Sequence, residues 1–307
     1  MFDDVEKLKL FSPHSFIRVV SLLCVGISVA KAYDVNCQFD GSFPPACYQF
    51  TLTPITQANE LANFVGQPAN YIDNMTSSMN FDSSFVLNYI PTDMFNHMIN
   101  INHFNSQNGS ISTVTTDAFI KCQNLHYIMM YYELFTHLPA SFAGQCYNLQ
   151  HLNIYYSNLQ TIDENAFRGL FSLQGLMLQY NQIECLPPLL FQDTKGLQMI
   201  DLSYNKIKAL HPILFKPLIQ VSSVNLMMNQ ITYIPDLDLD ISSWNQGSFN
   251  LMLYDNPINA IHPLFLTHLF YDNNMGNNQI QIAFGPSNLQ IQTCAYIDPN
   301  TPNYNGI

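Results

Sequence analysis

The chain has 307 residues, is 48% hydrophobic but only 10% charged, and carries a formal net charge of -12. That balance argues against nucleic acid and anionic membrane surfaces as partners and favours a basic one. Apart from one short N-terminal run, no stretch is long and apolar enough to be read as a bilayer span.

Taken along the chain, Val19 to Ala30 is a 12-residue apolar run after Arg18, followed by Ala30-Lys31-Ala32, the small-x-small pattern of a secretory cleavage site. Residues 1–32 are expected to be a signal peptide. The acidic leader (Asp3, Asp4, Glu6) leaves a retained anchor as the alternative, although 12 residues fall short of a bilayer span. Of the 22 acidic and 10 basic residues, 3 and 4 lie in this segment, leaving 19 and 6. Removal also takes away Cys24 and leaves six of the seven cysteines, an even number suited to an oxidising compartment. Residues 33–76 form an N-terminal cap ahead of the repeats. Two sequons, Asn74-Met75-Thr76 and Asn108-Gly109-Ser110, are expected glycosylation sites in a secreted chain.

Residues 77–270 are organised by a 24-residue period. Leu149, Leu173, Leu197 and Val221 each open a segment of one design, with apolar residues at positions 1, 4, 6 and 11, as in Leu197-Gln-Met-Ile-Asp-Leu-Ser-Tyr-Asn-Lys-Ile207. Upstream, the segments opened by Ile101 and Leu125 keep the register; Ser248 to Leu269 is a good unit, and residues 77–95 and those from Phe270 onward are worn. One unit has too few apolar residues to close a core, so units must stack and share an interior. Alternation at Leu197, Ile200 and Leu202 predicts a short strand covered on one face, and stacking then gives a parallel sheet. Asn181, Asn205, Asn229 and Asn256 at position 9 are read as structural turn residues. On the far side Leu138-Pro139, Leu186-Pro187 and Ile234-Pro235 start turns, and Phe142, Phe191, Phe215 and Phe265 fill the interior. His211 and His262, each before a proline, read as turn residues.

The pattern resembles the leucine-rich repeat, L-x-x-L-x-L-x-x-N-x-L, in the 24-residue form common in extracellular animal proteins. In its cap, Asn-rich texture and Phe-Pro-rich far side, the chain is similar to secreted arthropod leucine-rich-repeat proteins. The resemblance implies an α/β fold, a curved horseshoe solenoid with a concave parallel sheet and a convex side of turns, short 3-10 or helical segments and loops. Residues 271–307 become a degenerate C-terminal cap and polar tail. By the same resemblance, Cys37 and Cys47 close an N-terminal cap.

Cys122 and Cys146 are 24 residues apart, each followed by x-Asn-Leu, so they occupy equivalent places on adjacent units, within disulfide reach. Cys185 and Cys294 are too far apart along the axis to meet. Each reads as a buried reduced cysteine or as a link to another chain.

The register also orders the outward side chains. Tyr132, Tyr156, Tyr180 and Tyr204 share position 8, Tyr131 and Tyr155 share position 7, and Gln150, Gln174 and Gln198 share position 2. A nearly neutral aromatic and amide-rich face suits a protein ligand, since tyrosine offers a rigid surface with a polar tip. A ladder of rings that stacks on sugars, or one that only stiffens the sheet, is the alternative. His103, His126 and His151 fall close together but lack the spacing of a metal site, and Asp236-Leu-Asp-Leu-Asp240 reads as a half-buried turn, not a calcium loop. No cofactor or metal is expected. Nothing matches a nucleophile elbow, a zinc-protease motif or a phosphate loop. The expected function is that of a secreted, non-enzymatic recognition protein, in innate immunity or cell-surface signalling; a structural or glycan-binding extracellular component is the alternative.

Overall fold

The computed structural model describes residues 81, 88–90, 95, 100–107, 111–116, 118–237 and 249–265, together with the backbone of 16–19, 33–36, 64–65, 78–80, 248, 279–283 and 292–293. Near the N-terminus β1 (Phe16–Val19) pairs antiparallel with β2 (Tyr33–Asn36) and β3 (Phe64–Val65). The main sheet has nine parallel strands: β4 (Ser78–Phe81), β5 (His103–Gln107), β6 (Tyr127–Tyr131), β8 (His151–Tyr155), β10 (Gly175–Met177), β11 (Met199–Asp201), β12 (Ser223–Asn225), β14 (Ser248–Met252) and β16 (Gln279–Ala283), in that order. On the far side β7 (His137–Leu138) pairs with β9 (Thr161–Ile162), and β13 (Tyr233–Ile234) pairs with β15 (Ala260–Ile261), which pairs with β17 (Gln292–Thr293).

The register of the sheet follows the sequence period. Leu152 lies opposite Ile128 and Leu176, Leu176 opposite Ile200, Ile200 opposite Val224, and Val224 opposite Leu251. Leu149, Leu173 and Leu197 superpose along the axis as one buried row. Each such side chain contributes roughly 1.5–3 kcal/mol by leaving water, and does so only because a neighbouring unit covers it. Behind this row runs a phenylalanine spine. Phe119 meets Phe95 at 5.4 Å and Phe142 at 6.0 Å, and Phe191 stacks between Phe167 and Phe215 at 6.3 and 6.0 Å.

Position 9 closes the turn after each strand. The Asn205 Oδ1 accepts the Ile183 N–H at 3.0 Å, and its Nδ2 donates to the Leu178 and Leu202 carbonyls at 2.9 and 3.0 Å. Asn229 does the same with Ile207, Leu202 and Leu226, and Asn181 and Asn256 repeat the scheme. These bonds satisfy backbone groups that would otherwise be buried unpaired.

The far side consists of turns and short segments, as the resemblance implies, with few helical residues among those described. Between residues 118 and 237 it is built of chained turns, such as Gly144 N–H to Ser141 O and Leu214 N–H to His211 O, plus the two-residue strands. The helical residues among those described are 95 and 263–265. Prolines open these segments because their fixed φ suits a first turn and their missing N–H is one that would lack a partner there. His211 and His262 are turn residues, their Nδ1 atoms accepting from the Ile213 and Leu264 N–H groups.

Cys122 and Cys146 are bonded, with Cα atoms 4.8 Å apart. Cys185 is a free thiol and is exposed, which overturns the buried reading for that residue. Its place in the turn after Ile183 points it outward, beside Glu184. Residues 20–32 of the expected leader, Cys37, Cys47, Asn74, Asn108, Asp238, Asp240, Cys294 and most of 271–307 lie outside the described residues. Among the described residues no helix is long and apolar enough to cross a membrane.

Candidate functional site

Where each strand ends, the residue at position 8 takes a left-handed backbone. The φ values are 60° at Tyr132, 51° at Tyr156, 56° at Tyr180, 54° at Tyr204, 54° at Met228 and 57° at Asp255. Such a conformation costs a residue with a Cβ roughly 1–2 kcal/mol, and glycine or asparagine would meet it more cheaply. The tyrosines and Met228 are instead fixed by their own N–H groups, which donate to the position-7 carbonyl of the next unit: Tyr156 to Gln179, Tyr180 to Ser203, Tyr204 to Met227. The side chains then stand in one row. Tyr132 and Tyr156 lie 5.3 Å apart, Tyr156 and Tyr180 4.2 Å, and Tyr180 and Tyr204 4.1 Å, all stacked.

Tyr131 and Tyr155 form a second, shorter row beside it, stacked at 5.5 Å. The Tyr131 hydroxyl donates to Gln107 Oε1, and Tyr155 turns edge-on to Tyr156. The rows share hydroxyl contacts as well as rings. Hydrogen bonding to Tyr204 is the main cause that pushes the Tyr180 phenol up to about 12, followed by desolvation and the Tyr156 hydroxyl. Burial first, then neighbouring phenols, raises Tyr131 and Tyr155 above the usual tyrosine value. An open groove of about 480 Å³ runs along Tyr156, Tyr180, Tyr204 and Met228, with Gln182 and Lys206 on its rim.

Because ring faces in the row are covered by neighbouring rings, a ligand meets ring edges and hydroxyls. The interior rings of the row, Tyr156 and Tyr180, have both faces covered and offer no face to a sugar. The glutamines do not join the tyrosines. Gln150, Gln174 and Gln198 sit six positions earlier, about 20 Å away at a strand rise of roughly 3.3 Å per residue. Gln150 is half-buried, and Gln174 and Gln198 are exposed.

Near the glutamines lies a stack absent from the sequence reading. Tyr127 is sandwiched between His103 at 4.4 Å and His151 at 4.7 Å. Gly175 belongs to it, since a Cβ there would lie 2.6 Å from the His151 Nδ1, so the glycine leaves room for the imidazole. A bare glycine at position 3, one unit after a histidine, was the available signal. Burial lowers the pKa of both histidines, with a further lowering of His103 by His126. Tyr127 keeps His103 and His151 apart, and among the described residues no group of three or more His, Cys, Asp or Glu side chains is placed to hold a metal ion. Farther along, Asp201 accepts from the Ser203 N–H and hydroxyl at 2.9 and 2.6 Å and from Asn225 at 3.2 Å. Its charge is satisfied inside the sheet face, and Ser203 is buried although its place alternates with the inward Leu202.

The stacked parallel sheet and the position-9 asparagines define a leucine-rich-repeat solenoid. Two overlapping segments, 123–183 and 171–231, match the family described as leucine rich repeat. No curated protein matches the chain in sequence. Solved structures share the fold at low identity. Human trophoblast glycoprotein (Wnt-activated inhibitory factor 1) aligns at 15% identity and a TM-score of 0.52 over 68% of this chain and 77% of that one. A chain of the Drosophila Toll–Spatzle complex aligns at 20% and 0.54, over 63% of this chain but only 27% of its own length. A leucine-rich-repeat protein of Leptospira interrogans aligns at 19% and 0.53, over 70% and 50%.

Proposed function

We propose that this chain is a secreted, non-enzymatic recognition protein that holds a protein ligand on the open face of its sheet, with Tyr131, Tyr132, Tyr155, Tyr156, Tyr180 and Tyr204 as central contacts. The observation that carries this reading is the position-8 row, where four tyrosines are kept at left-handed backbone positions and stacked 4.1–5.3 Å apart. Rigid aromatic edges with ordered hydroxyls offer a ligand contact area at little entropic cost. The groove beside them is open, unlike the enclosed pocket in which a reaction is shielded from water.

Gln150, Gln174 and Gln198 serve as a second contact row for a ligand long enough to cross the sheet. Secretion rests on the N-terminal apolar run and its small-x-small end, and glycosylation at Asn74 and Asn108 follows from secretion. A role in innate immunity or cell-surface signalling fits a recognition scaffold of this kind, and the Toll–Spatzle structure is described as a hub in development and innate immunity.

The test is parallel affinity capture from extracellular fluid of the source organism, with the parent chain and the Tyr156→Ala/Tyr180→Ala variant as baits. A protein enriched on the parent should bind the variant weaker by about 2 kcal/mol or more if these are central contacts. Equal capture of every bound protein by both baits overturns the reading.

A further inference from the structure

Six basic residues follow position 32, and their placement is uneven. Lys206 and Lys208 lie just after a sheet strand, where Lys208 is paired with Glu184 at 2.6 Å. The other four, Lys121, Arg168, Lys195 and Lys216, all fall at positions 20–23 of their units, on the edge where the chain turns back into the sheet. Through positions 20–24 of the five units opened by Ile101 to Leu197, the one acidic residue is Asp193. Its carboxylate is half-buried and accepts the Gly169 N–H at 3.0 Å, tied down against the backbone. A chain of net charge -12 thus carries a basic strip along one edge. Arg168, Lys195 and Lys216 come from consecutive units, so at roughly 5 Å per unit they span about 10 Å.

The strip is also apolar. Phe171 is 62% exposed, Tyr147 50% and Ile219 40%, and all three share position 23 with Lys195. A groove of about 390 Å³ opens beside them, lined by Phe119, Gly144, Arg168, Gly169, Phe171 and Asp193. Its floor is backbone: Gly169 has φ 85°, and a Cβ on it would lie 2.7 Å from the Gly144 carbonyl oxygen. The edge is held rigid by the Cys122–Cys146 bond, by the Lys121 N–H donating to Gln145 Oε1 at 3.1 Å, and by Asn148 donating to the Gln123 carbonyl at 2.7 Å.

We propose that this edge is a second docking surface, separate from the tyrosine row, which takes an acidic protein segment carrying an aromatic side chain. Carboxylates of the segment pair with Arg168 and Lys195, and the aromatic ring enters the groove against Phe171. The interleaved apolar residues favour a peptide over a sulfated polysaccharide, which has no apolar side chain to bury. The net charge of the chain opposes an anionic bilayer. The cations act locally, over a Debye length of about 8 Å at physiological ionic strength, so association depends on salt.

The experiment uses an array of synthetic acidic heptapeptides, each with one aromatic residue, and the full-length chain. Peptides that bind should lose at least tenfold in affinity to Arg168→Glu/Lys195→Glu, and to Phe171→Ser, but stay within twofold for Tyr156→Ala/Tyr180→Ala. Lys195→Glu alone is the second variant if Arg168→Glu disturbs folding, judged by a changed circular dichroism spectrum or a lowered melting temperature. Replacement of glutamate by glutamine in a bound peptide should weaken it at least tenfold. Absence of any bound peptide overturns the proposal. So does tighter binding of a sulfated polysaccharide or of anionic vesicles that ignores Phe171→Ser, or a self-association, seen by sedimentation, that the charge reversals abolish.

Discussion

The turn that follows each sheet strand is held by asparagine from Asn181 onward, whereas the two preceding turns use different chemistry. Asparagine both accepts and donates, so one side chain satisfies an N–H of the unit before it and carbonyls of both units. At the matching place in the unit opened by Leu125 stands Glu133, which is buried and as a carboxylate can only accept. Its Oε2 takes the Ile111 N–H at 2.9 Å, the bond that Asn205 makes with Ile183. Its Oε1 takes the Ser106 hydroxyl at 2.6 Å. Ser106 sits at position 6, where the following units carry Met130, Ile154, Leu178, Leu202, Leu226 and Leu253. Ser157 fills the place between the two regimes, accepting the Glu133 N–H at 3.0 Å. The acceptor for the position-11 N–H is therefore kept at Glu133 as at the asparagines, whereas the Ser106 hydroxyl donates to that carboxylate and not to the position-6 carbonyls that the asparagine amides serve. The Cys122–Cys146 bond belongs to the same N-terminal region, covalently joining units that lack the asparagine ladder.

The largest effect should come from Asn205→Leu. It strips the Ile183 N–H of its acceptor, which costs about 1–3 kcal/mol for a buried unsatisfied group, and removes one of two donors from each of the Leu178 and Leu202 carbonyls, which keep Asn181 and Asn229, at about 1 kcal/mol per lost bond. Urea unfolding should show a loss of about 4 kcal/mol in all; a loss under about 1 kcal/mol would mean the ladder contributes little. Next is Cys122→Ala/Cys146→Ala, which opens a 24-residue loop and should cost about 3 kcal/mol. If the N-terminal region depends on its bond, hydrogen exchange should rise over residues 118–149 and change little over 197–231. Uniform acceleration throughout would contradict the regional difference.

How far the sequence foretells these features depends on what each is fixed by. Leu152, Leu176 and Ile200 are legible because a strand has period two and one covered face, and their alignment follows once units stack. The four asparagines are legible for a similar reason, since a turn in a fixed place has a fixed demand for bonds. The buried reading of Cys185 fails because the residue lies after the last covered residue of its turn, where no period dictates facing, and the reading as a link to another chain stays open. Ser203 occupies an outward position but is drawn in by the Asp201 carboxylate, a bond that residue spacing does not specify. The tyrosines and glutamines share the open face, yet they stand at opposite ends of the strands. Periodicity sets which face a residue takes, whereas separation along the strand decides which residues a ligand meets together. The His103–Tyr127–His151 stack needs the absent side chain of Gly175 as much as the rings themselves.

A smaller effect sharpens the contrast most. In Glu133→Asn the new Oδ1 is placed to accept the Ile111 N–H, and the new Nδ2 faces the position-6 carbonyls, as Asn181 does toward Ile154 and Leu178. The exchange also removes a carboxylate from a buried place, but it leaves the Ser106 hydroxyl short of its acceptor. These changes oppose one another, so the single variant should lie within about 1 kcal/mol of the parent. Adding Ser106→Leu restores the apolar position 6 of the other units and should bring the pair above the parent by about 1 kcal/mol, less than the roughly 1.5–3 kcal/mol of full leucine burial because the site must widen. Denaturant midpoints of the parent, both single variants and the pair give the coupling directly. Non-additive gain in the pair shows that Ser106 and Glu133 are one unit substituting for asparagine; an additive loss of more than about 2 kcal/mol shows instead that the N-terminal turns are shaped around the carboxylate and cannot accept the ladder.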